Sequence, residues 1–110
     1  MGVLHYADQA ISIDDRTLAH LKVASVTKLR RGESFTLSWA HPPNEIAGRT
    51  TIWMHPSIPL RFEFEEPDSP PLSREWIESI LRSSNSTGGI QLTAESMYTG
   101  EMPAALAARS

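Results

Sequence analysis

From Glu33 to Ala40 polar and apolar side chains alternate, with Phe35, Leu37 and Trp39 on one face and Ser34, Thr36 and Ser38 on the other. That period of two predicts a half-buried strand. The same reading applies further on. In residues 50–55, Ile52 and Met54 share one face, while Thr51, Trp53 and His55 share the opposite one. In residues 60–64, Leu60, Phe62 and Phe64 stand opposite Arg61 and Glu63. Pro56 and Pro59 lie between these two strands; lacking a backbone donor, they belong in a joint and not in a central ladder. Residues 2–7 and 10–13 predict two short strands around Asp8-Gln9, and residues 90–93 a last one.

Two stretches carry the helical period. Asp14-Asp15 opens the first, where a carboxylate can cap and suits the helix dipole. Leu18, Leu21, Val26 and Leu29 follow, widened by Ala19, Val23 and Ala24, until Lys28-Leu-Arg-Arg-Gly32 closes it. Ser73 caps the second, over Ser73–Arg82, with Leu72, Trp76, Ile77, Ile80 and Leu81 as its apolar stripe. Residues 41–48 and 65–72 are proline-marked loops, and Gly88-Gly89 reads as a helix stop before the final strand.

The order β-β-α-β-β-β-α-β predicts an α+β domain over residues 1–94: one mainly antiparallel sheet with two amphipathic helices on one face. Residues 95–110 read as a C-terminal tail, loose or a short helix, with a helical turn as one option for Met102–Arg109. The expected core is Phe35, Leu37, Trp39, Ile52, Leu60, Phe62, Trp76 and Ile80. Trp53 and His55 are expected on the other face of the sheet, beside Arg61, Glu63, Thr36 and Ser38. An open sheet face is mostly polar, so a tryptophan there needs an explanation.

Composition narrows the function classes. A chain of 110 residues suits one domain. The absence of cysteine excludes disulfides and thiolate chemistry. No apolar run approaches the roughly 20 residues of a membrane span. The N-terminus lacks the basic and apolar regions of a signal peptide, and Tyr6 breaks the myristoylation pattern. A cytoplasmic location is therefore expected. The net charge of −3 argues against a dedicated nucleic-acid coat, though not against a local basic patch.

Several runs have a familiar wording. Ile13-Asp-Asp-Arg-Thr-Leu-Ala-His-Leu-Lys22, Lys28-Leu-Arg-Arg-Gly-Glu-Ser-Phe-Thr-Leu-Ser-Trp39, Gly48-Arg-Thr-Thr-Ile-Trp-Met-His-Pro-Ser-Ile-Pro-Leu-Arg-Phe62, Arg74-Glu-Trp-Ile77 and Ser84-Asn-Ser-Thr-Gly-Gly-Ile90 resemble an uncharacterised family of short actinobacterial proteins. Members of that family often carry the automatic label "ATP-dependent DNA ligase". The resemblance spans about residues 1–94. The label implies lysine adenylylation in a Lys-x-Asp-Gly setting. This chain has two lysines: Lys22 precedes Val-Ala-Ser and Lys28 precedes Leu-Arg-Arg, both inside the first helix. Neither fits.

The remaining constellations are sparse. His5, His20, His41 and His55 form no His-Glu-x-x-His and no close pair, so no metal site is expected. They read as strand, helix-surface, loop and joint residues respectively. His55, Ser57 and Glu63 offer a trio without a nucleophile elbow. Gly48-Arg49 and Ser86–Gly89 fit no phosphate-loop pattern. What remains is a basic cluster of Lys28, Arg30 and Arg31, with Arg49, and the face of Trp53, His55 and Arg61. The first suits a helix C-terminus or an acidic partner. The second suits an anchor for a partner, a stacking platform, or packing under the tail or a second subunit. The expectation is a non-catalytic binding module without cofactor or metal. It would engage a protein partner or itself, with nucleic acid as the other candidate. The alternative is a nucleotide-related enzyme or a ligase-associated accessory.

Overall fold

The computed structural model describes residues 1–103. It is an α+β fold. The elements are β1 (Gly2–Tyr6), β2 (Gln9–Ile13), α1 (Asp15–Arg30), β3 (Phe35–Ala40), β4 (Arg49–Met54), β5 (Leu60–Glu63), α2 (Arg74–Ser84), β6 (Ile90–Leu92) and α3 (Ala94–Thr99).

The single sheet expected from the pattern is divided in two, with strand orders β2-β1-β5 and β4-β3-β6. The Pro56–Pro59 joint is where they part. β5 leaves β4 there and pairs antiparallel with β1, Leu4 opposite Phe62 and Tyr6 opposite Leu60. The Ala7 N–H fixes the change of partner by donating to the Pro59 carbonyl at 3.0 Å. Consecutive strands usually pair with each other; here the free edge of β1 takes β5 instead. In the second sheet β3 and β4 are antiparallel and β6 joins β3 in parallel.

Local chemistry explains the element ends. Asp14 caps α1, its carboxylate accepting from the Arg16 N–H at 2.9 Å. Ser73 caps α2 by accepting from the Trp76 N–H at 3.2 Å. Gly32, at φ 75, turns the chain out of α1 in the left-handed region that glycine enters freely. The two-residue turn Ala7-Asp8 between Tyr6 and Gln9 sits one residue earlier than expected. It holds Ala7 at φ 53, where a side chain is strained.

The two sheets and the helices enclose one core. Leu4, Ile13, Leu18 and Leu21 meet Phe35, Leu37, Met54, Trp76, Ile80 and Ile90 in it. Six of the eight expected core residues are buried; Leu60 and Phe62 are half-buried at its margin. The chain past residue 94 contributes as well. Thr93 caps α3, Met97 is 1% exposed in the core, and the Met97 carbonyl accepts from the Asp14 N–H at 2.8 Å. Of the helical turn considered for Met102–Arg109, residues 104–109 lie outside the described residues.

His20 departs from expectation. It is not on the helix surface but fully buried, stacked on Trp76 with ring centroids 4.3 Å apart. The Ser73 N–H donates to its Nε2 at 2.8 Å. Nε2 must therefore carry the lone pair, and Nδ1–H donates to the Arg16 carbonyl at 2.7 Å. The imidazole thus joins α1 to the start of α2 in its neutral form. Burial, the largest influence, pushes its pKa below the ordinary histidine value, and the Arg16 charge adds to that.

Candidate interaction face

The outer face of the β4-β3-β6 sheet is built by the alternation that buries Phe35, Leu37, Trp39, Ile52 and Met54 on its inner side. Outward stand Thr36 and Ser38 from β3, Arg49, Thr51 and Trp53 from β4, and Gln91 from β6. Trp53 lies opposite Thr36 in the ladder, and Thr51 opposite Ser38. The Ser38 and Thr51 hydroxyls are 2.7 Å apart and bonded to each other. On the other side of Thr36 the chain returns through Gly89 at φ 67, where a Cβ would stand 2.0 Å from Thr36 Oγ1. The result is a polar surface holding one large ring. Trp53 is 53% exposed.

The sequence-predicted residues divide between places. Trp53, Thr36, Ser38 and Arg49 do share this face. His55 stands just past β4 and braces the joint, its Nδ1 accepting from the Ser57 N–H at 3.0 Å. Arg61 is not beside Trp53. It belongs to β5 in the other sheet, where its Nη2 lies 3.3 Å from Glu63 Oε1 and 3.3 Å from His5 Nε2. Glu63 goes with it. The separation follows from the joint, which hands β5 to β1.

The basic cluster also divides. Lys28 is 5% exposed. Its Nζ bonds Asn85 Oδ1 and stands 3.3 Å from Glu33 Oε1, so it ties the end of α1 to the end of α2. Arg30 and Arg31 remain exposed at the surface. Lys22, the other lysine, lies over the Phe64 ring at 5.7 Å. It borders a cavity of about 210 Å³ between α1 and the 64–72 loop.

Two further features lie next to the ends of β4 along the chain. A groove of about 350 Å³ runs between the C-terminal half of α1 and the joint, lined by Val26, Leu29, Arg30, Pro56, Ile58 and Leu60. At the opposite end of β4, the 41–48 loop is braced by His41. Its Nε2 is 2.8 Å from Thr50 Oγ1, its Nδ1 3.1 Å from the Ile46 carbonyl, and its backbone N–H donates to the Gly48 carbonyl at 2.9 Å. That loop holds Ile46 90% exposed. Ile46 escaped sequence reasoning because a lone apolar residue in a loop has no periodicity to mark it. The spacing from His41 to a glycine, with two prolines between, was the available sign of a shaped loop. Among the described residues no group of three or more histidine or carboxylate side chains is placed to hold a metal ion, and no helix is long and apolar enough to cross a membrane.

Fold and face together define a small α+β domain with an exposed aromatic on an otherwise polar sheet surface. The chain belongs to the family described as a domain of unknown function, DUF7882, whose model matches residues 1–95. No curated protein and no solved structure matches the chain.

Proposed function

We propose that this chain is a non-catalytic interaction module that engages a protein partner through the outer face of the β4-β3-β6 sheet, with Trp53 as anchor. The observation that carries the reading is the half-exposed Trp53 ring on a surface otherwise made of Thr36, Ser38, Arg49, Thr51 and Gln91. Tryptophan is over-represented among the few residues that dominate binding energy, because it offers large apolar area with few rotatable bonds. A protein partner is favoured over nucleic acid by the charge layout. Among the described residues Arg49 alone brings a cation to this face, whereas tracking a phosphate backbone needs several. The lysines support a non-catalytic role: Lys28 is committed inside the fold, and neither lysine has the surroundings that adenylylation needs.

A photo-cross-linking residue in place of Thr51 tests the reading directly. It should capture a protein when Trp53 is present and lose it in Trp53→Ala. That substitution should change the urea stability by no more than about 0.5 kcal/mol, as expected at an exposed site. Capture that is indifferent to Trp53→Ala refutes the reading. Capture of DNA instead, weakened by salt and by Arg30→Glu with Arg31→Glu, moves the function to nucleic acid.

A further inference from the structure

The edges of the two sheets are not equally guarded. β6 has three residues, and β5 has four, starts after Pro59 and carries Arg61 and Glu63. β2 is partly covered by α3, which packs against it. β4 is different. It runs six residues, Arg49–Met54, without proline, lysine or a break in register against β3. No strand pairs with its far side among the described residues. Alternate residues of such a strand point N–H and C=O groups outward, ready to pair with another strand.

The side chains on that edge complement a copy of themselves. Arg49, Thr51 and Trp53 share the outer face, with the cation and the ring two positions on either side of Thr51. An antiparallel pairing of two β4 strands about a two-fold axis at Thr51 sets Arg49 opposite the partner's Trp53, and Trp53 opposite the partner's Arg49. Directly opposed residues on one face lie within contact of each other, and a guanidinium over an indole is favourable. The same axis directs the 41–48 loop toward the end of the partner that carries Pro56. The Ile46 side chain projects from that loop, and the groove of Val26, Leu29, Pro56 and Ile58 lies at that end. One occupant thus accounts for Trp53, Ile46 and Val26, three of the large apolar side chains that the fold leaves exposed.

We infer that β4 is a strand-addition edge for a second copy of this chain, giving a two-fold dimer with a continuous six-stranded sheet in the order β6-β3-β4-β4-β3-β6. The inference rests on the Trp53 contact face proposed above and names its partner. A C2 contact of this kind is self-complementary and closes on itself.

Sedimentation of the full chain over a concentration series tests it. The wild type should dimerise. Thr51→Lys, which sets two ammonium groups against each other at the axis, should be monomeric with an unchanged circular dichroism spectrum. Trp53→Ala should weaken dimerisation about tenfold, the size of two exposed cation–π contacts. Ile46→Asp should weaken it as well. Because the chain has no cysteine, single cysteine variants report one position each. Under mild oxidation Thr51→Cys should give a covalent dimer, and Gln91→Cys, on the same face but away from that edge, should not. Equal cross-linking by both variants overturns the β4 interface. A wild type that stays monomeric at every concentration overturns the second copy. If such a monomer still shows Trp53-dependent capture of a different protein, the contact face stands; if capture is absent too, both readings fall.

Discussion

Acid should loosen this fold through His20, by an amount that linkage bounds. The neutral ring accepts from the Ser73 N–H, donates to the Arg16 carbonyl, and stacks on Trp76. Protonating Nε2 removes its lone pair, leaves the Ser73 N–H without its acceptor, and places a cation in a buried site near Arg16. The folded state therefore holds the pKa of His20 below its ordinary value, mainly through burial. The sign follows directly. Above about pH 6.5, the unfolded value, neither state binds the proton and the stabilisation is complete. Below it the unfolded chain takes up the proton first, so stability is lost as the pH falls toward the folded pKa. One proton sets a ceiling of about 1.4 kcal/mol per pH unit. Urea unfolding of the wild type and of His20→Leu, at intervals from pH 8 to pH 5, measures it. His5, His41 and His55 are common to both proteins, so whatever they contribute cancels in the difference. The difference should shrink steadily below pH 6.5. A difference that stays flat with pH would show that His20 is not the buried acceptor described above.

Trp76→Ala removes a buried ring from both the core and the His20 stack, and should cost about 3–5 kcal/mol in urea unfolding. Gly89→Ala forces a left-handed alanine against Thr36 and should destabilise by at least about 1–2 kcal/mol in the same assay. Ala7→Gly, at φ 53, should raise thermal stability by roughly 0.5–1 kcal/mol, since it relieves the same penalty against some added unfolded-state entropy. Incubation with ATP and magnesium should leave the intact mass free of an AMP adduct; an adduct on Lys22 or Lys28 would restore a nucleotidyl-transfer chemistry.

The parts of the fold that follow from local periodicity were legible. Phe35, Leu37 and Trp39 alternate with Ser34, Thr36 and Ser38 because one side of β3 faces the core, and the structure buries that side. Trp53 stands outward because Ile52 and Met54 stand inward. The pairing of β5 was not legible. Leu60, Arg61 and Phe62 have the same pattern whether their neighbour is β4 or β1, and β1 lies more than fifty residues away. Prolines at 56 and 59 announced a joint, but not which edge the chain would meet after it. His20 and Lys28 failed for another reason. Thr17, His20, Leu21, Ala24 and Lys28 recur at three- and four-residue spacing and form a buried stripe on α1. A polar residue within such a stripe reads as surface when judged by its type, and as interior when judged by its position.

That distinction bears on the candidate site as well. Lys28 looked like part of a basic patch because it neighbours Arg30 and Arg31 in sequence, yet Arg30, two positions on, points to the opposite side of the helix, and Arg31 lies past its end. Its charge is used up by Asn85 and Glu33, and only the arginines stay outside. Trp53 shows the reverse. Its type belongs to the interior and its strand position does not, so the conflict between the two marks it. A burial rule violated by type inside the core is resolved within the fold, as His20 resolves it with Ser73 and Arg16. A rule violated outside the core has no such resolution among the described residues, where Trp53 stays 53% exposed. In the two-fold pairing proposed above, Arg49 and Trp53, two positions either side of Thr51, would each meet their complement on a second β4.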